Sequence, residues 1–314
     1  MSLTSMLKGK TDKDKQFQSI LRNIVTPRPV FSTVSGNKPF SSEYKELAPY
    51  NLSKTYYSTI VGTGFDYLAR FMIARKLKIK DSKVLAYNNL VAEYGLKVLE
   101  EMLEGRQYKI LNKKYNKGIK LCKRFVYNKN IDFDKLLNFS GYLASLEVIR
   151  RSGLPPMNIQ ESLIEDISIE IINDLRRLCD IFQNKFINSG VINEDSNVIF
   201  NPRFGIGSLC CKGADADLFI DGTLYDFKCT KIRGYRWKDS AQIVGYYLLN
   251  NIDIRCGGKG MGIDEHGMEY RIEKLAFYKG RYGEIEIVDV KSLDKNKIEQ
   301  GIEELRKLWN LTFI

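Results

Sequence analysis

The sequence predicts an α+β protein in which a small mixed β-sheet is flanked by helices. Before Ser189, apolar residues recur at helical spacing, as in Phe65, Leu68 and Met72. After Ser189, short runs of β-branched and aromatic residues are bounded by Gly, Asn and Asp, which is typical of strands. Helical patterns also fall between and after these runs, so we expect helices to cover the sheet.

Composition narrows the classes of function. The chain has 314 residues, of which 44% are hydrophobic, and this suits one large domain or two smaller ones. Lys and Arg number 49 against 38 Asp and Glu, and the net charge of +11 favours an anionic partner such as nucleic acid. No apolar run is long enough to cross a membrane, and the N-terminus lacks the apolar centre of a signal peptide. We therefore expect no membrane partner and a cytoplasmic location.

The N-terminal segment, residues 1–50, is polar, basic and interrupted by prolines at Thr26–Pro29. This predicts a loosely structured arm with one short helix near Phe17 to Ile24. Residues 51–314 are predicted to form the main domain, with a helical insertion at about residues 106–190. Helices are predicted over residues 58–80 and 82–105, and Gly105 supplies a stop signal for the second.

Residues 106–130 contain nine basic residues and no acid, with aromatic residues interleaved. Two interpretations are open. The segment could grip a phosphate backbone and stack on bases. It could instead be a solvated hairpin or irregular loop with ordinary surface lysines. The residues predicted to contact nucleic acid are Lys113, Lys114, Lys117, Lys120, Lys123 and Arg124.

The insertion is predicted to continue with a helix over residues 132–152 and a long amphipathic helix over 160–187. Ile171, Leu175, Leu178 and Phe182 share one face of the long helix, and we interpret that face as core or helix-packing surface. Strands are predicted at residues 197–200, 272–278 and 284–290, and helices at 240–250 and 295–311.

A β-hairpin is predicted within residues 213–228. Asp221 and Gly222 tolerate the positive φ angles of a type I′ turn, so they are expected at its tip. With that turn, Asp217 lies opposite Asp226 and Asp215 lies opposite Lys228. Because side chains alternate along a strand, all four project from one face. Two opposed carboxylates repel each other unless a cation lies between them, which predicts a divalent ion with oxygen ligands, Mg²⁺ or Mn²⁺.

This constellation suits metal-assisted hydrolysis of a phosphodiester. Asp217 and Asp226 are the first-choice ligands, and the backbone carbonyl of Phe227 could add a third oxygen. Lys228 could orient the attacking water, lower its pKa or stabilise the transition state. Asp215 could pair with Lys228 or act as a further ligand. The tripeptide Asp226–Lys228 alone is better explained by an exposed strand with a cross-strand ion pair. The prediction therefore depends on the combination of this tripeptide with Asp217 on the facing strand.

Asp217, Asp226-Phe-Lys228 and Gln242-x-x-x-Tyr246, in that order, resemble the PD-(D/E)xK nucleases of the RecB-type exonuclease group. The resemblance covers roughly residues 58–80 and 205–290. It implies a magnesium-dependent nuclease with a restriction-endonuclease-like αβββαβ core. It further implies that Asp217 and Asp226 bind the metal, that Lys228 is catalytic, and that Gln242 and Tyr246 contact DNA.

The family usually adds a His or Glu from an upstream helix that follows a glycine-containing entry. Residues 61–68 match that position in outline, and the residue at the functional place is Asp66. Glu93, on the next predicted helix, is the rival ligand. Asp66 could instead have no role in metal binding and lie in the first turn of a helix, where an acid interacts favourably with the helix dipole.

The sequence therefore predicts a metal-dependent nuclease that hydrolyses DNA phosphodiester bonds, with RNA not excluded. One alternative is a catalytically inactive nucleic-acid-binding protein on a nuclease scaffold. The other is an interaction subunit of a larger DNA-processing assembly that docks through the helix around Ile171.

Overall fold

A six-stranded mixed sheet separates two hydrophobic cores in this computed structural model, which describes residues 3–25, 30–77, 86–87, 90–264 and 266–314. The strand order is β1-β6-β5-β4-β3-β2. Only the β4–β5 pair is parallel; the other four pairs are antiparallel. The α+β prediction with a mixed sheet is confirmed. The strands are β1 Ser32–Thr33, β2 Val198–Phe200, β3 Leu218–Ile220, β4 Thr223–Lys228, β5 Lys274–Lys279 and β6 Glu284–Asp289.

Helices cover both faces of the sheet. One core is shared with α3 to α7, and the other with α1, α2 and α8 to α10. Helix α9 connects β4 to its parallel neighbour β5. The helices are α1 Leu3–Met6, α2 Asp12–Ile24, α3 Tyr57–Lys76, α4 Val91–Met102, α5 Gly105–Val126, α6 Phe133–Ser152, α7 Ile169–Phe182, α8 Gly205–Cys210, α9 Trp237–Arg255 and α10 Lys295–Leu308.

The predicted hairpin forms with the predicted register. Phe219 pairs with Leu224, and Ile220 pairs with Thr223. The turn residues have φ angles of 42° at Asp221 and 84° at Gly222, the positive values that this hairpin turn needs. Alternation then sends successive side chains to the two different cores. The turn chemistry was therefore sufficient to fix which side chains share a face within the paired residues 218–225.

The N-terminal segment is not a loosely structured arm, and that prediction is wrong for the described residues. Helix α2 begins with a capping box between Thr11 and Asp14. It buries Phe17 and Leu21 completely, and the Phe17 ring lies 5.9 Å from that of Trp309 near α10. Residues 32–33 then add a short edge strand to β6. Apolar residues at helical spacing outweigh the polar average of this segment, while the proline-rich residues 26–29 lie outside the described residues.

The basic segment is a helix, α5, rather than a hairpin or an irregular loop. The predicted helix over residues 82–105 is observed only as α4, and residues 82–85 and 88–89 lie outside the described residues. No helix in the described part of the chain has the length and apolarity needed to cross a bilayer.

The helix predicted over residues 160–187 is interrupted. A π-helical turn at Gln160–Ile164 is followed by an irregular stretch, and α7 begins only at Ile169. The break is stabilised because the Asn138 side chain accepts the Ile167 N–H at 3.0 Å. The apolar face of α7 is core, with Ile171, Leu175 and Phe182 buried. An exposed docking stripe around Ile171, which the interaction-subunit alternative requires, is therefore not present on α7.

Candidate functional site

A cleft of about 1010 Å³ opens beside the ends of β3 and β4, between helices from both sides of the sheet. Its lining is rich in charged side chains of both signs. The acids are Asp66, Glu147, Asp215, Asp217 and Asp226, and the bases are Lys8, Arg70, Arg150, Arg151, Arg203, Lys212 and Lys228. Acids and bases converge here although they come from distant parts of the chain.

Asp217 and Asp226 come together in this cleft. Asp226 lies on β4 and is 2% exposed, while Asp217 directly precedes β3. The Phe227 N–H donates to Oδ2 of Asp217 at 2.6 Å, which holds this carboxylate against β4. Burial, and then the charge of Asp226, raise the pKa of Asp217 to about 8. The two carboxylates thus repel each other, as the sequence predicted.

Lys228 supplies the positive charge beside this pair. Its ammonium group forms an ion pair with Asp226 and donates a hydrogen bond to Oε1 of Gln242 at 3.1 Å. Burial lowers the pKa of Lys228, but the charges of Asp226 and Asp239 outweigh that effect and the pKa is raised. Lys228 is therefore a cation at neutral pH.

Gln242 and Tyr246 share one face of α9, one turn apart, and both line the cleft. The Gln242 Nε2 group donates to the Tyr246 hydroxyl at 2.9 Å. Tyr246 is only 4% exposed, and its ring stacks on Phe204 with 5.5 Å between centroids. The enclosed ring is not available for base stacking, and the Tyr246 hydroxyl orients Gln242. The contact of both side chains with DNA stays a prediction.

Asp66 lies in the middle of α3 and lines the same cleft. The explanation of Asp66 as an acid of a first helical turn is therefore wrong. Burial, and then the charges of Asp217, Glu147 and Asp226, raise the pKa of Asp66 well above its ordinary value. The rival, Glu93, forms an exposed ion pair with Lys97 at 3.4 Å and is absent from the described lining of the cleft.

Asp215 does not lie opposite Lys228, and that prediction is wrong. The β3–β4 pairing ends at Leu218 and Tyr225, and the chain before it turns toward residues 201–203 instead. The backbone of Asp215 there forms an isolated antiparallel β-bridge with that of Arg203. It still lines the cleft, and burial, followed by the charge of Glu147, raises its pKa.

Glu147, on α6, is an acid of the cleft that sequence reasoning missed. It is 8% exposed, accepts a hydrogen bond from the Tyr67 hydroxyl at 2.8 Å and pairs with Arg151. Its spacing of four residues from Arg151 was a visible but weak signal. Arg70, also missed, donates to Oδ1 of Asn201 at 2.7 Å, and burial lowers its pKa to about 10.

The basic residues of α5 lie elsewhere. None of the described residues that line the cleft comes from this helix. Lys114 donates hydrogen bonds to the carbonyls of residues 163, 164 and 165 at 3.0, 3.1 and 2.8 Å. It therefore stabilises the end of the π-helical turn, and its contact with nucleic acid stays a prediction.

The donor set fits a hard divalent cation in part. Across the described ranges, no three or more His, Cys, Asp or Glu side chains are arranged to hold a metal ion as they stand. Asp226 Oδ2 is buried, and its partner in the described part of the chain is the ammonium group of Lys228. Oxygen atoms from Asp217 and Asp226, completed by water, are the ligands that Mg²⁺ prefers.

Comparisons with protein-family models, curated proteins and solved structures found no match to this chain. The site is therefore interpreted from its own residues.

Proposed function

We propose that this protein is a Mg²⁺-dependent nuclease that hydrolyses DNA phosphodiester bonds in the cleft described above. The observation that carries the proposal is the grouping of Asp66, Asp217 and Asp226, whose pKa values are all raised, beside the ammonium group of Lys228. Asp226 is buried, Asp66 and Asp217 are partly exposed, and the charged forms of the three carboxylates repel one another. A divalent ion between them would offset that repulsion.

Asp217 and Asp226 would hold the metal, and Asp66 would reach it directly or through water. When bound, Mg²⁺ or Mn²⁺ would polarise the phosphate and make water a better nucleophile. These residue types fit because carboxylate oxygens are preferred by both ions.

Lys228 would stabilise the negative charge that develops on the phosphate during attack. Its hydrogen bond to Gln242 fixes the ammonium group on the side of β4 that faces α9. Tyr246 in turn holds the amide of Gln242, so the three side chains form a hydrogen-bonded series from helix to strand. An ammonium held in place needs little reorganisation as the reaction proceeds.

The basic residues of the cleft wall would bind the flanking phosphates. Arg70, Arg150, Arg151 and Arg203 lie around the acids, and guanidinium groups recognise phosphate by bidentate hydrogen bonds. The element order adds support for the finer fold prediction. When the inserted helices α4 to α7 and the short helix α8 are set aside, α3 is followed by the antiparallel strands β2, β3 and β4, then by α9 and the parallel strand β5, consistent with an αβββαβ core.

The test is cleavage of circular and linear DNA by the purified protein with Mg²⁺, with Mn²⁺ and with neither. We expect product only with metal, and loss of at least about 100-fold in rate for Asp226→Asn and Lys228→Met. The control is Asp289→Asn, which removes an exposed acid at the end of β6 and should cut normally. Wild-type rates in either cleft variant would overturn the proposal.

The same assay separates the nuclease from the inactive binding protein. Retention of DNA without product in any metal would favour the inactive protein. RNA of the same sequence, tested in parallel, decides whether the substrate class is wider than DNA.

A further inference from the structure

Helix α5 presents a single row of cations to solvent. Six exposed basic residues follow one another at steps of three or four, which places them on one face of the helix. We call this row the α5 stripe: Arg106, Lys109, Lys113, Lys117, Lys120 and Arg124. The opposite face buries Leu111, Tyr115, Cys122 and Phe125 in the core, so the stripe cannot turn inward.

Helix α5 contains no acid that could balance the charge of the α5 stripe. No Asp or Glu occurs between Gly105 and Ile131. Within the described ranges, no ion pair engages a member of the stripe, although Arg124 donates one hydrogen bond to the Asn130 carbonyl at 3.2 Å. Lys114, outside the row, is by contrast held by three backbone carbonyls. Helix α5 therefore carries two kinds of cation. Lys114 stabilises the fold, and the α5 stripe faces solvent without an ion pair in the described part of the chain.

We propose that the α5 stripe is an exosite that binds the phosphate backbone of double-stranded DNA outside the cleft. At 1.5 Å per residue the stripe extends over about 27 Å, which matches about eight base pairs of duplex at 3.4 Å per step. A straight and rigid row of cations suits a stiff polyanion of similar length, because neither partner must bend to make all contacts. The affinity comes from charge and from counterion release, and carries no sequence preference.

The stripe is connected to the cleft through α3. Arg70 of α3 lines the cleft, and Arg75 of the same helix lies 4.6 Å from the centroid of the Phe125 ring of α5. The two arginines are five residues apart, about 7.5 Å along the helix axis. Only the passage of one DNA molecule from cleft to stripe rests on the proposed nuclease function.

The first experiment measures DNA binding by the whole protein without divalent metal, so that catalysis plays no part. The probe is a fluorescent duplex of about 30 base pairs, titrated over a series of salt concentrations. The variant combines Lys113→Gln, Lys117→Gln and Lys120→Gln. The control combines Lys295→Gln, Lys297→Gln and Lys307→Gln, which removes the same charge from exposed positions on α10 across the sheet.

We expect the stripe variant to bind about ten-fold more weakly, and its salt dependence to flatten by up to about 0.9 for each phosphate that the variant no longer neutralises. The α10 control should bind like the wild type. Thermal melting of both variants should stay at the wild-type midpoint, because all six side chains are exposed. Equal binding by wild type and stripe variant, or equal losses in both variants, would overturn the proposal.

Two further measurements sharpen the result. Vesicles with and without phosphatidylserine test the anionic lipid surface, and a stripe variant that loses vesicle binding but keeps DNA binding would contradict the proposal. Under cleavage conditions, the stripe variant should show a raised KM with unchanged kcat on long duplexes, and wild-type kinetics on duplexes of about eight base pairs. If the protein binds through the stripe but never cuts, the exosite stands and the nuclease function falls.

Discussion

The loop after β5 and the cleft beside β4 both bury charge, but only the first is balanced. Arg281 is 1% exposed and forms two hydrogen bonds with the Asp174 carboxylate, at 2.9 and 2.6 Å. It also donates to the carbonyls of Cys229 and Ala48 at 2.7 and 3.1 Å. Every side of this pair is satisfied. Such an arrangement fixes the position of loops and leaves no charge for a ligand.

In the cleft, by contrast, the carboxylates of Asp66, Asp217 and Asp226 act on one another, and the ion pair of Lys228 is with Asp226. Burial and mutual repulsion raise the pKa values of Asp66 and Asp217, which indicates that their charged forms are not compensated by the protein. The difference teaches that burial of charge is not by itself a sign of function. The imbalance is what marks a place for a ligand.

The largest effect is expected for the buried pair of Arg281 and Asp174. Arg281→Ala should lower the free energy of unfolding by about 3–5 kcal/mol, because it leaves the Asp174 carboxylate buried without a partner. The double variant Arg281→Met with Asp174→Leu should recover much of that loss. Denaturant unfolding measures both. A small loss in the single variant would contradict the assignment of this pair to the fold.

The second effect concerns pH and metal. The pKa of Asp217 is raised from 3.8 to about 8, so its protonated form is favoured in the folded state. Without metal, stability should therefore be greatest at low pH and fall as pH rises from about 4 toward about 8. At about pH 8, Mg²⁺ at 100 times its Kd should restore about 2.7 kcal/mol.

Thermal melts near both ends of that pH range, with and without Mg²⁺, measure this effect. Asp217→Asn is the control, since it should flatten the pH dependence and remove the response to Mg²⁺. A metal-free protein that becomes more stable toward about pH 8 would contradict the imbalance in the cleft.

A smaller effect of opposite sign distinguishes two aspartates directly. At a pH above the raised pKa of Asp66, Asp66→Asn should stabilise the metal-free protein by about 1 kcal/mol, because it removes a carboxylate charge that Asp217 and Asp226 repel. Asp174→Asn should destabilise it, because Arg281 loses its carboxylate. Paired unfolding curves measure both variants, and if both lose stability, the comparison between the two regions fails.

The last effect is on catalysis and is expected at Gln242. Gln242→Ala removes the acceptor that positions Lys228 and should lower kcat about ten-fold while leaving KM unchanged, a cost of about 1.4 kcal/mol. Tyr246→Phe removes only the hydroxyl behind Gln242 and should cost less. An increase in KM with unchanged kcat would assign Gln242 to binding DNA instead of positioning Lys228.

The sequence predicted those features that depend on local chemistry. The turn at Asp221–Gly222 set the register of the hairpin, and the register set which acids share a face. Asp215 was wrongly placed because the β3–β4 pairing stops at Leu218. Before Leu218 the backbone of residues 216–217 is hydrogen-bonded to residues 201–202 instead. Nothing in the hairpin itself contains that information.

Tertiary packing explains the other differences. Glu147 reaches the cleft only because α6 packs beside α3, and a lone acid in a helix carries no sign of that contact. Helix α2 was predicted as part of a loose arm because the average polarity of residues 1–50 hides Phe17 and Leu21. The interruption before α7 depends on Asn138 and Lys114, which belong to other helices.

Phe227 stands between Asp226 and Lys228, and its ring points the other way, into an aromatic cluster with Phe65, Phe182 and Tyr278 at 5.7–6.0 Å. Adjacent residues of β4 therefore serve different purposes: Phe227 packs in the interior, and Asp226 and Lys228 on either side of it line the cleft. A larger or smaller side chain at Phe182 would move the strand and, with it, both charged neighbours. Selection for a stable interior and selection for an accurate site must act here on the same three residues.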